Sequence, residues 1–277
     1  MEITPATFDA ADKYQLAMHH IGRQLASHRY YGVLPFGTTN ITTALNDNIV
    51  TLQINTLLAV GQEGQTIHIS NDSVTLHLPT IQQDQCFITI RQDGYVELET
   101  NGISFDANNF AYEITTLDNI DSHRLAIAKL TKQNLIWQVQ KKYVPPIVSL
   151  NAHSYMMELL TLSQQNLNNI VQQLPVKHPN TNVTDLKICA LELNDFSGPE
   201  SPEEYHHLLH KAATILSWTH LPESENLPIA DLPRFNQNDI LNSITPLCMF
   251  LSEFSTQIAN YTEQVVKVDK PWWDAEL

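Results

Sequence analysis

The stretch Lys141-Lys142-Tyr143-Val144-Pro145-Pro146 divides this sequence into two parts of different character. Consecutive prolines lack backbone N–H donors and hold the chain extended, so a β-ladder that reaches them must end there. Apolar residues recur with a period of two before this stretch and with a helical period after it. The sequence therefore predicts an α+β multidomain protein, with one domain at residues 1–148 and a second at residues 149–277.

The amino-terminal part has the pattern of an antiparallel β-sandwich with a leading helix. Helical spacing of apolar residues between Tyr14 and Leu25 predicts the helix. Alternation of apolar and polar residues predicts strands near 50–54, 74–78, 86–90, 95–98, 110–114, 125–130 and 135–139. The turn-forming pairs between them are Asn71-Asp72, Asp93-Gly94, Asn101-Gly102 and Asn108-Asn109. One apolar face on each short strand favours antiparallel sheets over a parallel sheet.

The carboxy-terminal part has the pattern of an antiparallel α-helical bundle. One helix is predicted at about 154–174 and a shorter one at about 183–193. A third is predicted to begin after Ser201 and to end near Trp218. Serine is a favourable cap, proline suits the first helical position, and the acidic pair Glu203-Glu204 interacts favourably with the positive end of the helix dipole.

A heptad-like seam of apolar residues continues from Ile240 to Val265 and predicts a last helix. The members of the seam with the best claim to an interaction role are Leu251, Phe254, Ile258 and Tyr261. Two interpretations are open: the seam is the core face of a bundle within one chain, or it also contacts sister subunits. Pro246 lies inside the seam, so either the helix kinks there or a new helix begins with Thr245 as its cap.

Composition excludes several classes of function. The formal net charge of −15 would repel phosphate backbones, so no nucleic-acid partner is expected. Eight glycines form neither a G-x-G-x-x-G motif nor a P-loop.

The expected location follows from three features of the sequence. The three cysteines are far apart, and the amino terminus does not have the pattern of a signal peptide. No apolar run is long enough to span a bilayer. We expect a cytoplasmic protein with no direct membrane insertion.

Two further features could carry chemistry or contacts. His206, His207 and His210 follow an acidic pair on a predicted helix, which is a spacing that could hold a metal. A second Glu-x-x-His motif, which a di-iron bundle would need, is missing, so we expect histidines at the helix surface or at the edge of the bundle and neither a metal nor a cofactor. Trp272 and Trp273 near the end of the sequence either fold back on their own domain or anchor a partner.

Five stretches of this sequence, at residues 3–14, 31–33, 60–64, 86–90 and 143–146, resemble motifs of TssK, a baseplate subunit of type VI secretion systems. The opening residues 3–14, which include Phe8 and Tyr14, resemble the family's L-x-P-x-H-F-Q-x-x-D-R-Y opening. The likeness continues at Tyr31-Gly32-Val33, in the turn at residues 60–64 and in the strand at residues 86–90. It recurs at Tyr143-Val144-Pro145-Pro146, which is similar to the family's Y-I-P-P segment.

The resemblance implies a trimeric structural adaptor without catalytic activity. In that family a β-sandwich shell binds the baseplate wedge proteins and a helical bundle follows it. A small carboxy-terminal domain contacts the membrane complex, which makes membrane-complex proteins a further candidate partner. Here Phe8 and Tyr14 would help to anchor the wedge proteins. Tyr143, Pro145 and Pro146 would fix the two domains relative to each other, and a homotrimer is expected.

Two other functions are open at the level of the sequence. The shell and bundle also resemble receptor-binding proteins of tailed phages, and loops rich in Asn and Gln could bind sugars, so a carbohydrate-binding module is the main alternative. A metalloenzyme built on His206, His207 and His210 is the third hypothesis.

Overall fold

Eight β-strands precede four α-helices in the computed structural model, which describes residues 31–35, 39–62, 66–100, 103–179, 181–218 and 232–260. For residues 95–100 and 103–108 only the backbone is described. This order confirms the predicted fold class, an antiparallel β part followed by a helical part. The predicted leading helix around Tyr14 lies outside the described residues.

The strands form two four-stranded sheets in which every pair of neighbours is antiparallel. Their bounds are β1 Gly32–Val33, β2 Asn40–Asn46, β3 Ile49–Val60, β4 Thr66–His77, β5 Gln85–Thr100, β6 Ile103–Thr115, β7 Leu125–Gln133 and β8 Ile136–Val139. In the first sheet β3 pairs with β2 over most of its length and with β1 at its last two residues, and it pairs with β4 along its whole length. In the second sheet the order is β6-β5-β7-β8.

Alternating burial on β3 shows why these residues form a sandwich. Val50, Leu52 and Ile54 are buried, whereas Thr51 and Gln53 between them are exposed. Each fully buried aliphatic side chain contributes roughly 1.5–3 kcal/mol relative to an exposed one. The buried face of β3 belongs to the same apolar core as the buried face of β5 in the other sheet. The core between the two sheets therefore arises directly from the period-two pattern.

Three of the predicted turns are wrong, because the residues lie inside strands. Asp93-Gly94 is part of β5, which combines two predicted strands, and the pairing of β5 with β6 shifts register there. Gly94 has φ +85° and Asn71, inside β4, has φ +56°. A residue with positive φ serves a β-bulge as well as a hairpin turn, so the sequence signal is the same for both. Asn108-Asn109 lies opposite the irregularity, in β6.

The edge strand β2 had no sequence prediction. Its side chains alternate between exposed and half-buried, and none of them is fully buried. Ile41 and Leu45 are the larger apolar side chains that pack against the core from this strand. The apolar residues of β2 are few and separated by threonines, so the sequence shows no clear period of two there.

The four helices are α1 Ser154–Lys177, α2 Thr184–Asn194, α3 Pro202–Trp218 and α4 Ile240–Asn260. The start of α3 follows the capping prediction: the Glu204 N–H donates to Ser201 Oγ at 3.1 Å, and the Ser201 N–H donates to Glu204 Oε2 at 2.9 Å. This reciprocal pair is a capping box, which satisfies two N–H groups at the helix start. α4 continues through Pro246, so no new helix begins at Thr245.

Helix directions follow from side-chain contacts. Ser163 donates to Cys248 Sγ at 3.3 Å, and one to two turns further along both helices Asn169 donates to Ser255 at 2.6 Å. α1 and α4 therefore run in the same direction. Gln164 of α1 donates to two carbonyl groups at the end of α2, so these two helices are antiparallel, as their short connection requires. The connection between α3 and α4 is longer, so it can return the chain to the end of the bundle next to the sandwich, where α4 begins.

One continuous apolar core runs from the sandwich into the helices. It includes residues of β3, β5 and β7, the segment around Ile147, and the inward faces of all four helices. Within the described ranges, no helix has the length and apolarity that crossing a membrane would need.

Candidate interaction surfaces

The double-proline segment is fixed to the first strand of the sandwich. The Val33 N–H donates to the Pro146 carbonyl at 2.7 Å, and the Val148 N–H donates to the Val33 carbonyl at 3.0 Å. Gly32 has φ +135°, and a Cβ at this position would lie 2.3 Å from the carbonyl carbon and oxygen of Pro146. Only glycine fits such a close approach of two backbones. The chain therefore enters the helical part along a defined path.

A short 3₁₀ turn, Gln237–Asp239, joins the sandwich to the start of α4. Gln237 Nε2 donates to the carbonyl groups of Tyr31 at 2.9 Å and Ile147 at 2.8 Å. The Tyr31 hydroxyl donates to Asn238 Oδ1 at 2.7 Å, and the Tyr143 hydroxyl donates to the Asn238 carbonyl at 3.4 Å. Burial raises the pKa of Tyr31 to about 12 and raises the pKa of Tyr143 well above its usual value. Both hydroxyls therefore stay protonated and can donate.

The same turn carries one half of a buried ion pair. Lys129 Nζ of β7 lies 2.9 Å from Asp239 Oδ2, and the two side chains are 2% and 8% exposed. Asn242 donates to the same carboxylate oxygen at 2.6 Å, and the ammonium group lies 5.2 Å from the ring centroid of Phe87. A charge buried without its partner would be strongly destabilising. This pair ties the sandwich to the helices through residues 110 positions apart in sequence.

We call these contacts the junction: Tyr31, Gly32, Val33, Lys129, residues 143–148 and the turn Gln237–Asp239. The structure places three predicted site residues here, since Pro145 and Pro146 are buried and Tyr143 is half-buried at this position. The sequence reasoning missed Lys129, Gln237 and Asp239. Lys129 left a signal, because it interrupts the otherwise apolar run at residues 125–130 of β7. A lysine in such a strand needs a buried partner.

The seam residues are covered by their own chain. Leu251, Phe254 and Ile258 are buried on α4, and the ring of Phe254 lies 6.2 Å from that of Phe250. This burial is what the core-face interpretation predicts, while a contact of these residues with sister subunits stays a prediction. The remaining predicted site residues lie outside the described part of the chain: Phe8, Tyr14, Tyr261, Trp272 and Trp273.

Of the three histidines on α3, His206 is buried, contrary to the expected surface or edge position, whereas His207 is exposed and His210 is half-buried. His206 Nε2 donates to the Pro233 carbonyl at 2.8 Å, and its ring lies 5.6 Å from that of Phe235. Burial lowers the pKa of His206 below its usual value. In the parts of the chain that the structure describes, no group of three His, Cys, Asp or Glu side chains could hold a metal ion. His206 therefore attaches the segment before α4 to α3.

The cysteines do not form a reactive site. Cys86, Cys189 and Cys248 are all buried and unpaired. Burial raises the pKa of Cys86 to about 12 and also raises the pKa of Cys189 and of Cys248. A thiol is a nucleophile only as the thiolate, so these residues contribute to packing.

Exposed apolar side chains of the described residues include two places where they adjoin one another or line a groove. The first is the turn between β7 and β8, where Leu135 and Ile136 are 85% and 64% exposed. The second is a groove of about 430 Å³ between α2 and α3. Ile188 and Trp218 line it and are 44% and 74% exposed. Patches of this kind are typical of protein–protein contacts.

The described residues form an antiparallel β-sandwich joined through a buried junction to a helical bundle. Neither a protein-family model nor a curated protein matches the sequence. Among solved structures, the chain is similar to one from the cryo-electron microscopy structure of the type VI secretion TssK-TssF-TssG baseplate subcomplex. The TM-score is 0.60 at 14% identity, over 92% of this chain and 96% of that one.

Two structures of TssK itself give the same result. TssK from the type VI secretion system of EAEC, in complex with a nanobody, matches at a TM-score of 0.58 and 15% identity, over 91% of this chain and 69% of that chain. A crystal structure of TssK matches at 0.57 and 11% identity, over 92% and 67%. The resemblance seen in the sequence is thus confirmed at the level of the fold.

Proposed function

We propose that this protein is a TssK-like structural adaptor of a contractile type VI secretion baseplate, acting through protein–protein contacts and without catalysis. The fold shared with TssK over about nine-tenths of the chain supports this proposal. One of the similar chains was solved together with TssF and TssG in a baseplate subcomplex. The buried cysteines and the packed His206 are consistent with a role that needs no reactive group.

The junction is the observation that carries the proposal. An adaptor that holds two partners at a fixed distance needs a joint that does not bend. Here the buried Lys129–Asp239 pair, the two hydrogen bonds of Gln237 and the close packing at Gly32 all connect the sandwich to the helices. Buried hydrogen-bonded networks favour one arrangement over others; here the Gln237 amide nitrogen makes both of its hydrogen bonds, whereas its Oε1 is buried without a partner.

Each part of the molecule is proposed to meet its own partner. The sandwich, with Phe8 and Tyr14 before it, would bind baseplate wedge proteins in the cytoplasm. The helical part holds 6 basic and 16 acidic residues from position 147 onwards, so its partners should present basic surfaces. A homotrimer and an additional contact with membrane-complex proteins, for which Trp272 and Trp273 are candidate anchors, belong to the same proposal.

The test is a pull-down from the native cell with the tagged full-length chain at its normal level. Recovery of wedge proteins is the expected result, and recovery of no baseplate protein would overturn the proposal. A variant with Phe8→Ala and Tyr14→Ala should recover less wedge protein. Met249→Lys, which changes an exposed side chain of α4, is the matched control and should recover as much as the wild type.

A further inference from the structure

The first sheet ends in a strand with an open outer edge. In the part of the chain that the structure describes, β2 pairs with β3 alone. On the other side of β3 the Leu78 N–H donates to the Asn48 carbonyl, so the even-numbered residues there face β4 and the odd-numbered ones face β2. Their partners in β2 are even-numbered. Ile41, Thr43 and Leu45 therefore direct their N–H and C=O groups to the open edge.

β2 differs from the other edge strands in having no protection against a further strand. Native edge strands are usually very short or carry charges, prolines or bulges, which prevents pairing with other chains. β4 carries Asp72 and the positive-φ residue Asn71, β6 carries two acidic residues, and β8 has four residues. β2 has neither a charge nor a proline, and its register shift lies at its start, next to Asn40.

The same edge already accepts an extended segment at β1. Because β4 pairs with the whole of β3, β1 and β2 both lie on the other side of β3. Residues 146–148 run alongside β1, and the bridge between Val33 and Ile147 is parallel. The chain then leaves the sheet for α1. The edge is therefore covered at β1 and open at β2.

A groove of about 550 Å³ lies along the open part of this edge. We call it the edge groove; it is lined by Thr39, Ile41–Thr43, residues 127–128 of β7, parts of 139–145 and the start of α1. The pairing of β5 with β7 passes over Ile127, which has no partner in the register of these two strands. Pockets that bind ligands have volumes of about 300–1,000 Å³, so the edge groove is large enough for several residues of a peptide.

The edge groove has a different charge from the chain as a whole, whose net charge is −15. The described residues that line it include no carboxylate, and Lys141 among them is exposed. His153 Nδ1 accepts the Tyr155 N–H at 3.2 Å, and burial lowers the pKa of His153, so this residue is neutral at pH 7. Glu158 of α1 acts on His153. A segment with a carboxylate close to Lys141 is therefore favoured over a basic one.

We propose that an extended segment of another protein adds to the open edge of β2 as a further strand and lies in the edge groove. Its backbone would pair with Ile41 and Thr43, its inward side chains would be β-branched, and a carboxylate would lie near Lys141. In strand addition the main-chain hydrogen bonds supply affinity and alternate side chains supply specificity.

This inference deepens the proposed function, since it rests on the sandwich being the part that binds a partner and adds the chemistry that the partner must present. Its test uses the purified full-length chain and peptides. The proposed function is tested by recovery of baseplate proteins from cells, so either can fail while the other holds.

Amide hydrogen exchange in the free chain, followed by NMR, tests whether the edge is open. The amides of Ile41 and Thr43 should exchange at least about tenfold faster than those of Thr42 and Ala44, which bond to β3. Equal protection of all four amides would overturn the proposal, because it would mean that a second copy or another part of this chain already occupies the edge.

The probe for binding is a phage-displayed library of random peptides about ten residues long, selected on the full-length chain. The recovered peptides should have β-branched residues at alternate positions and carry Asp or Glu. The most frequent one, added as a synthetic peptide, should slow exchange of the Ile41 and Thr43 amides. Recovery of no peptide, or of peptides that leave these two amides unprotected, would overturn the proposal.

N-methylation of that peptide, one position at a time, identifies the mode of binding on the wild-type chain. Only alternate N–H groups of an added strand face β2, so affinity should fall at least about tenfold at every second position and change little between them. A response without this alternation would rule out strand addition.

Two pairs of variants locate the contact. Thr43→Pro removes an N–H at the open edge, where proline is tolerated, so the variant should fold and bind the peptide at least about tenfold more weakly. Thr43→Val keeps the N–H and should bind like the wild type. Lys141→Glu should weaken binding of the acidic peptide, whereas Lys187→Glu, at an exposed position of α2, is the matched control and should not. Unchanged binding by a folded Thr43→Pro variant would contradict the proposal, as would equal losses in the two lysine variants.

Discussion

Replacing Lys129 by methionine should destabilise this protein far more than the loss of a surface ion pair. The variant keeps a long apolar side chain in β7 but leaves the Asp239 carboxylate, 8% exposed, with the Asn242 amide as its remaining side-chain hydrogen bond. Breaking a buried pair by removing one partner costs about 3–5 kcal/mol. With about 2.1 cal/mol/K per residue, this corresponds to about 5–9 °C in melting temperature for a chain of 277 residues that unfolds as a unit.

A double-mutant cycle separates the pair from the rest of the junction. In the variant with Lys129→Met and Asp239→Leu neither charge remains, so its loss of stability should be smaller than the sum of the two single losses by at least about 2 kcal/mol. Urea denaturation followed by circular dichroism, with calorimetry as a second probe, measures all four proteins. Additive losses, or a loss below about 1 kcal/mol for Lys129→Met, would refute the reasoning, because an exposed pair behaves that way.

Three further predictions concern the junction, the bundle and the pH dependence. Gly32→Ala should lower the free energy of unfolding by more than about 3 kcal/mol, because the added Cβ would lie 2.3 Å from backbone atoms of Pro146. Gly94→Ala, where φ is +85° and no atom lies near the added Cβ, should lower it by only about 1 kcal/mol. Equal losses in urea titrations would contradict this account. Phe254→Ala should cost about 3–5 kcal/mol in the same titration, and a loss below about 1 kcal/mol would show that the ring is not packed in the core. Burial lowers the pKa of His206 from 6.5, so near and below that pH the unfolded chain binds more protons than the folded one, and folding stability should fall on acidification. His206→Asn should reduce the dependence of the melting temperature on pH. An unchanged pH dependence would rule out His206 as its source.

Sequence reasoning was most successful where a local pattern decides the structure. The helix that follows Ser201 begins with the predicted serine cap, and α1 begins at the predicted Ser154. It failed where the same residues suit two local structures. Asp93-Gly94 was predicted to form a turn but lies in a strand with a register shift, since a glycine with positive φ suits a β-bulge as well as a turn. It also missed the junction, since nothing near Lys129 in the sequence indicates Asp239 as its partner.

The sequence by itself determined the two periods, the change at the double proline and the starts of α1 and α3, because each depends on residues within a few positions of one another. The tertiary structure alone decided which distant groups meet. It paired Lys129 with Asp239, placed Gly32 against Pro146, and covered the seam of α4 while leaving Leu135 and Ile188 in contact with water. Such contacts depend on how whole elements pack, and the packing of an element is a property of its neighbours as much as of its own residues.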